Sequence, residues 1–174
     1  MLLQLESRGC TLVDTTCGSV LNVWKNVKRY SADGFTSIIH GKYWHEETQA
    51  TASQARALPG GRYLVVYDKA EAGLVCDYIR GTGDSAALLA TFRDAASPGF
   101  DPEADLSHVG LANQTTMLMS ESLEIGEMFR EAMRDRYGEA ALGACFRAFD
   151  TICSATQERQ DAVVALLDEQ PLDL

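Results

Sequence analysis

Short apolar runs of strand length alternate with segments of helical period along nearly the whole chain. That alternation constrains the fold more than any other feature. Strand-like runs are expected at 10–13, 35–40, 63–67 and 108–112, with a shorter fifth at 148–151. Between them, Val20, Val23, Trp24 and Val27 fall on one helical face. Asp68 is placed to cap a helix running to about 79, a helical segment follows Asp84 to about 96, and long helical patterns cover 120–137 and 155–167. Asp33-Gly34, Pro59-Gly60-Gly61 and the loop 97–102 supply the turns. Residues 41–51 are polar and read as a loop leading into a helix. Strands separated by helices imply an α/β fold with a mostly parallel sheet flanked by helices.

Charge and composition narrow the function. At 174 residues the chain holds one domain or slightly more. The net charge of −10 argues against a nucleic-acid binder, which needs a basic face, and against docking on anionic lipid. No apolar run approaches the ~20 residues of a membrane span, and the first six residues lack the pattern of a signal peptide. The five cysteines, Cys10, Cys17, Cys76, Cys145 and Cys153, are odd in number and irregularly spaced, with no C-x-x-C pair. A disulfide framework and a zinc ribbon are therefore not expected.

Three polar clusters fall at the C-terminal ends of strands, where open α/β sheets bind ligands. They are Asp14-Thr15-Thr16-Cys17, Asn113-Gln114-Thr115-Thr116 and Asp150-Thr151-Ile152-Cys153. Cys17 and Cys153 each precede a helix, whose dipole and free N–H groups stabilise a thiolate, the form that binds iron or zinc. Taken singly, each is as economically a small structural residue. The shared setting leaves both readings open. Cys10, Cys76 and Cys145 lie within strand or helix patterns and read as structural. His40 and His108, at a strand end and a strand start, read as structural too. In Trp44-His45-Glu46-Glu47-Thr48, His45 and Glu47 are two residues apart, so in a loop both can line one cavity. A histidine beside a carboxylate can hold an anion and pass a proton. The bland alternative is a solvated loop with Thr48 as a helix cap.

Four blocks together resemble a known family: DTTCGSVLNVWKNVKRY, HGKYWHEETQATAS, SPGFDPEADLSHVGLANQTTML and DTICSATQERQDAV. They are similar, in order and over nearly the whole chain, to 4-hydroxy-3-methylbut-2-enyl diphosphate reductase. This family makes isopentenyl and dimethylallyl diphosphate in the methylerythritol phosphate route to isoprenoids. CGSV and ATQERQDA look like its cyanobacterial and plastid branch.

The resemblance implies three similar α/β units around a [4Fe–4S] cluster, each giving one cysteine. Cys17 and Cys153 match two of these. His45 matches a histidine that holds the substrate diphosphate, and Glu47 the acid that feeds protons to the departing hydroxyl. Thr115 matches a threonine near that hydroxyl, with Gln114 as support. A ferredoxin or flavodoxin is implied as electron donor, and bacterial cytoplasm or plastid stroma as the compartment. Nothing matches the family's first unit or its last segment. The chain is therefore expected to be truncated at both ends and inactive alone. Residues 1–18 are expected as a linker with the cluster-cysteine turn, 19–148 as the middle unit, and 149–174 as the first βα element of the last unit. A non-catalytic α/β module, or a two-cysteine protein binding zinc or iron between chains, remain the competing readings.

Overall fold

A computed structural model of the chain describes residues 13, 15–148 and 153–169. Residues 10–12 of the strand expected at 10–13, Asp14, and Asp150-Thr151-Ile152 of the last cluster lie outside these residues. The first helix, α1 (Gly18–Ala32), buries Val23, Val27 and Tyr30, the face that the i, i+3, i+4, i+7 spacing predicts, extended one turn further. It leads through a turn at Gly34 into β1 (Thr36–His40), which is buried along its whole length.

The elements that follow are α2 (Glu46–Ala55), β2 (Tyr63–Val66), α3 (Lys69–Arg80), α4 (Ser85–Thr91), α5 (Pro102–Asp105), β3 (Val109–Asn113), α6 (Met119–Tyr137), α7 (Glu139–Cys145), β4 (Phe146–Ala148) and α8 (Ser154–Glu169). All strand pairings are parallel, in the order β2-β1-β3-β4. The expected α/β fold with a parallel, helix-flanked sheet is observed.

Parallel pairing forces a crossover between consecutive strands, and the crossovers leave on opposite faces. After β1 the chain passes through α2, which packs with α1. After β2 it returns through α3, which packs with α6 on the other face. One apolar cluster combines Val23, Val27, Tyr30, Phe35, Ala55 and Ala112. A larger one joins strand residues such as Ile39, Leu64 and Leu111 to Val75, Ile79, Ile125, Phe129 and Met133. The strand order reverses between β1 and β3, so the loops after these strands diverge and open a crevice at their carboxyl ends.

Two boundaries differ from expectation, and one short helix was not expected. The helix expected to reach 96 ends at Thr91, because residues 95–97 extend and cover the free edge of β2. Val65 N–H donates to Ala95 O at 2.8 Å, and Ser97 N–H to Tyr63 O at 3.0 Å. The long helix stops at Gly138, which has a φ of 82°, and a short unexpected helix, α7, follows. The last strand of the sheet begins at Phe146 rather than 148, since Phe146 is the residue in register with Val109; residues 149–151 of the expected strand lie outside the described residues. No helix among the described residues is long and apolar enough to cross a membrane.

Candidate active site

The polar side chains of the candidate site meet in the crevice between β1 and β3. The loop after β1 does not carry His45 and Glu47 as free loop residues, as the spacing suggested; both belong to the start of α2. His45 is the N-cap, and its Nδ1 accepts the Glu47 N–H at 3.2 Å. An imidazole that accepts at Nδ1 has Nε2 as its remaining ring nitrogen, and His45 is exposed. Thr48 is not the cap. It is 1% exposed, inside the first turn of α2, and its hydroxyl lies 3.0 Å from Gln114 Oε1.

Glu47 reaches across the crevice, where its Oε1 accepts the Thr115 N–H at 2.6 Å. Two residues predicted from stretches 68 positions apart are thus in direct contact, the carboxylate of one with the backbone N–H of the other. Gln114 and Thr115 are both buried. Gln114 continues the strand ladder through its N–H to His40 O at 2.8 Å. Gln114 Oε1 also accepts the Lys42 N–H at 3.1 Å, and its Nε2 donates to Thr116 Oγ1 at 2.7 Å. Sequence reasoning missed Gly41 as part of this arrangement. A Cβ there would stand 2.8 Å from Thr48 Oγ1 and 3.0 Å from Gln114 Cβ, so only glycine lets the loop lie this close.

The cysteines occupy the starts of two helices. Cys17 is the exposed N-cap of α1, with no side-chain capping bond. Cys153 opens α8, its carbonyl accepting the Thr156 and Gln157 N–H groups at 2.9 and 3.1 Å. The Ser19 hydroxyl, with the Thr156 and Ala155 N–H groups, holds the Cys153 thiol pKa below its ordinary value. Ser19 lies two residues after Cys17, in the first turn of α1. Both cysteines stand at the starts of helices. No group of three or more metal-ligating side chains occurs among the described residues. A groove of about 470 Å³ lies between the loop after β3 and α8. Thr116 and Leu118, just after Thr115, form one wall, and Thr156 and Arg159 of α8 form part of the other.

The structure bears out the assignment of His40 to structure. It is 1% exposed and its Nδ1 lies 2.8 Å from Ser122 Oγ. His108 packs edge-on against Phe35. Cys76 and Cys145 are buried.

The family model of the LytB protein matches residues 2–174, a span that includes each of these side chains. The chain belongs to the LytB family. Its LytB relatives include the 4-hydroxy-3-methylbut-2-enyl diphosphate reductases of Synechococcus sp. (strain RCC307) and Gloeobacter violaceus, each 56% identical over 170 residues and covering 98% of this chain. That of Thermosynechococcus vestitus is 55% identical over the same length. The chain spans about 40% of the length of these curated LytB relatives. The solved structure of (E)-4-hydroxy-3-methyl-but-2-enyl diphosphate reductase, described as the terminal enzyme of the non-mevalonate pathway, is similar with a TM-score of 0.51. At 21% identity, with 97% of this chain and 46% of that chain covered, this likeness shows that the LytB fold is shared.

Proposed function

We propose that this chain forms one wall of a 4-hydroxy-3-methylbut-2-enyl diphosphate reductase. The observation that carries the proposal is the Glu47–Thr115 contact at the switch point of the sheet, beside the exposed imidazole of His45. The reaction replaces the substrate's C–O bond by a C–H bond. Two electrons and two protons enter, and the hydroxyl leaves as water with isopentenyl or dimethylallyl diphosphate as product.

His45 presents Nε2–H to the diphosphate while its other nitrogen holds the helix start in place. Glu47 delivers a proton to the departing hydroxyl, for which a carboxylic acid inside a crevice is suited. The Thr115 hydroxyl bonds that oxygen, and Gln114 braces the loop behind it. Cys17 and Cys153 are the residues that would hold a [4Fe–4S] cluster, and both stand at the starts of helices. When bound, the cluster supplies electrons and an iron acting as a Lewis acid. A ferredoxin or flavodoxin is the proposed donor, and a bacterial cytoplasm or plastid stroma the proposed compartment. Residues 1–18 are assigned to the cluster-cysteine turn, 19–148 to a middle unit and 149–174 to the start of the next.

A chimaera tests this. The chain replaces the matching segment of the Synechococcus sp. (strain RCC307) relative, and the protein is reconstituted anaerobically and assayed with a chemical reductant. The chimaera is expected to turn over. Its Glu47→Gln variant is expected to lose at least ~100-fold in kcat while keeping the visible absorption of the cluster. The 174-residue chain alone is expected to be inactive, with two candidate thiolates among its described residues. Full activity of Glu47→Gln would remove the proton-donor role.

A further inference from the structure

One buried carbonyl oxygen takes two contacts beside Glu47. Gln114 Oε1 accepts from Lys42 N–H and lies within hydrogen-bond distance of the Thr48 hydroxyl. A backbone N–H can only donate, so the Lys42 contact settles which end of the Gln114 amide is oxygen. That oxygen can only accept, so the Thr48 hydroxyl donates. Thr48 and Glu47 are consecutive in the first turn of α2, and their side chains reach consecutive residues, Gln114 and Thr115, of the loop after β3. The absence of a Cβ at Gly41 leaves the hydroxyl just enough room.

Thr48 does none of the ordinary work of a threonine at a helix start. The cap of α2 is His45, so a Thr48 hydroxyl is not needed to begin the helix. Its side chain buries a polar group whose one use is to close the second lone pair of Gln114. Removing the hydroxyl would leave that lone pair buried and unpaired, and an amide in that position rotates or draws away. The first turn of α2 would then lose its tie to the loop at the residue next to Glu47.

We propose that Thr48 is the positioning residue for Glu47: its buried hydroxyl, donating to Gln114, holds the first turn of α2 where the Glu47 carboxylate meets the Thr115 N–H. The catalytic consequence rests on the proton-donor reading above; the positioning itself does not. A misplacement of about 1 Å in a reacting group can cost about 100-fold in rate, which makes such a brace consequential.

The test uses nitrogen-15 NMR of the 174-residue chain, with Thr48→Val, Thr48→Ser and Gly41→Ala. Valine keeps the shape and removes the donor, serine keeps the donor, and the Gly41→Ala methyl crowds the hydroxyl without deleting a hydrogen-bonding group. In Thr48→Val the Thr115 amide proton is expected to move upfield and to exchange about tenfold faster, the equivalent of one lost hydrogen bond. Ile38 and Leu111 amides in the neighbouring strands should keep their protection. Thr48→Ser should restore the Thr115 signal, and Gly41→Ala should reproduce the valine result. In the chimaera, Thr48→Val should lower kcat with KM unchanged. An unshifted Thr115 amide in Thr48→Val overturns the proposal. So does loss of protection spread equally over Ile38 and Leu111, or a serine variant that behaves like valine. If Thr115 responds as expected while the Glu47→Gln chimaera keeps its rate, the positioning stands and the proton-donor reading falls.

Discussion

At the scale of single residues, burial separates the groups that serve the fold from those left available. His40 is held below its ordinary pKa chiefly by burial, which outweighs the opposing pull of Glu121, 4.0 Å from Nε2. As pH falls below about 6.5 the unfolded chain takes up this proton before the native one does. Stability is therefore expected to fall as pH drops through and below that value, and to level off once native His40 also protonates. Urea unfolding between pH 7.5 and 5 checks this, and His40→Gln should remove that part of the slope. The thiols sort in the same way. Burial pushes Cys76 up to about 12 and raises Cys145 as well, whereas Cys17 is exposed and Cys153 half-buried. Iodoacetamide at neutral pH is expected to label Cys17 and Cys153 well before Cys76 and Cys145, as peptide mapping would show. Equal rates at all four would mean that the interior is far more open than the structure indicates.

At the scale of elements, the contact between α1 and β3 shows how tightly the helices are seated on the sheet. Tyr30 is fully buried and its hydroxyl donates to Leu111 O at 2.8 Å, so burial raises its phenol well above the ordinary value. Its ring lies over Gly110, where an added Cβ would be 2.6 Å from the nearest ring carbon. Gly110→Ala must therefore lift the ring or bend the strand. A loss of about 1–3 kcal/mol is expected, the usual range for overpacking a close-fitted core. A shift in the denaturant midpoint without a change in slope would measure it. An unchanged midpoint would mean that α1 can slide on the sheet.

At the scale of the whole molecule, α8 is the element least covered by the rest. Val163, Val164, Leu166 and Leu167 are each exposed by half or more, although they form the apolar side on which a helix ordinarily packs. Its amides are expected to exchange faster than those of β1 and β3, because local opening there exposes little further apolar surface. In the chimaera, which restores the length that this chain does not span, α8 should gain protection. Hydrogen exchange followed by mass spectrometry compares the two directly. Exchange in α8 as slow as in the central strands of the isolated chain would count against this division.

The sequence by itself determined the parallel α/β architecture, the buried face of α1, and the two stretches that meet in the crevice. These follow from spacings and residue types within a few positions of each other. Tertiary structure alone decided the rest. Residues 95–97 left the helical pattern because a bare strand edge needed partners, and β4 began at Phe146 because β3 dictated its register. His45 became the cap, and Thr48 turned inward to Gln114, a residue 66 positions away. A side chain's nearest competitors for a hydrogen bond are set by which strands stand side by side. Local periodicity carries no information about that order.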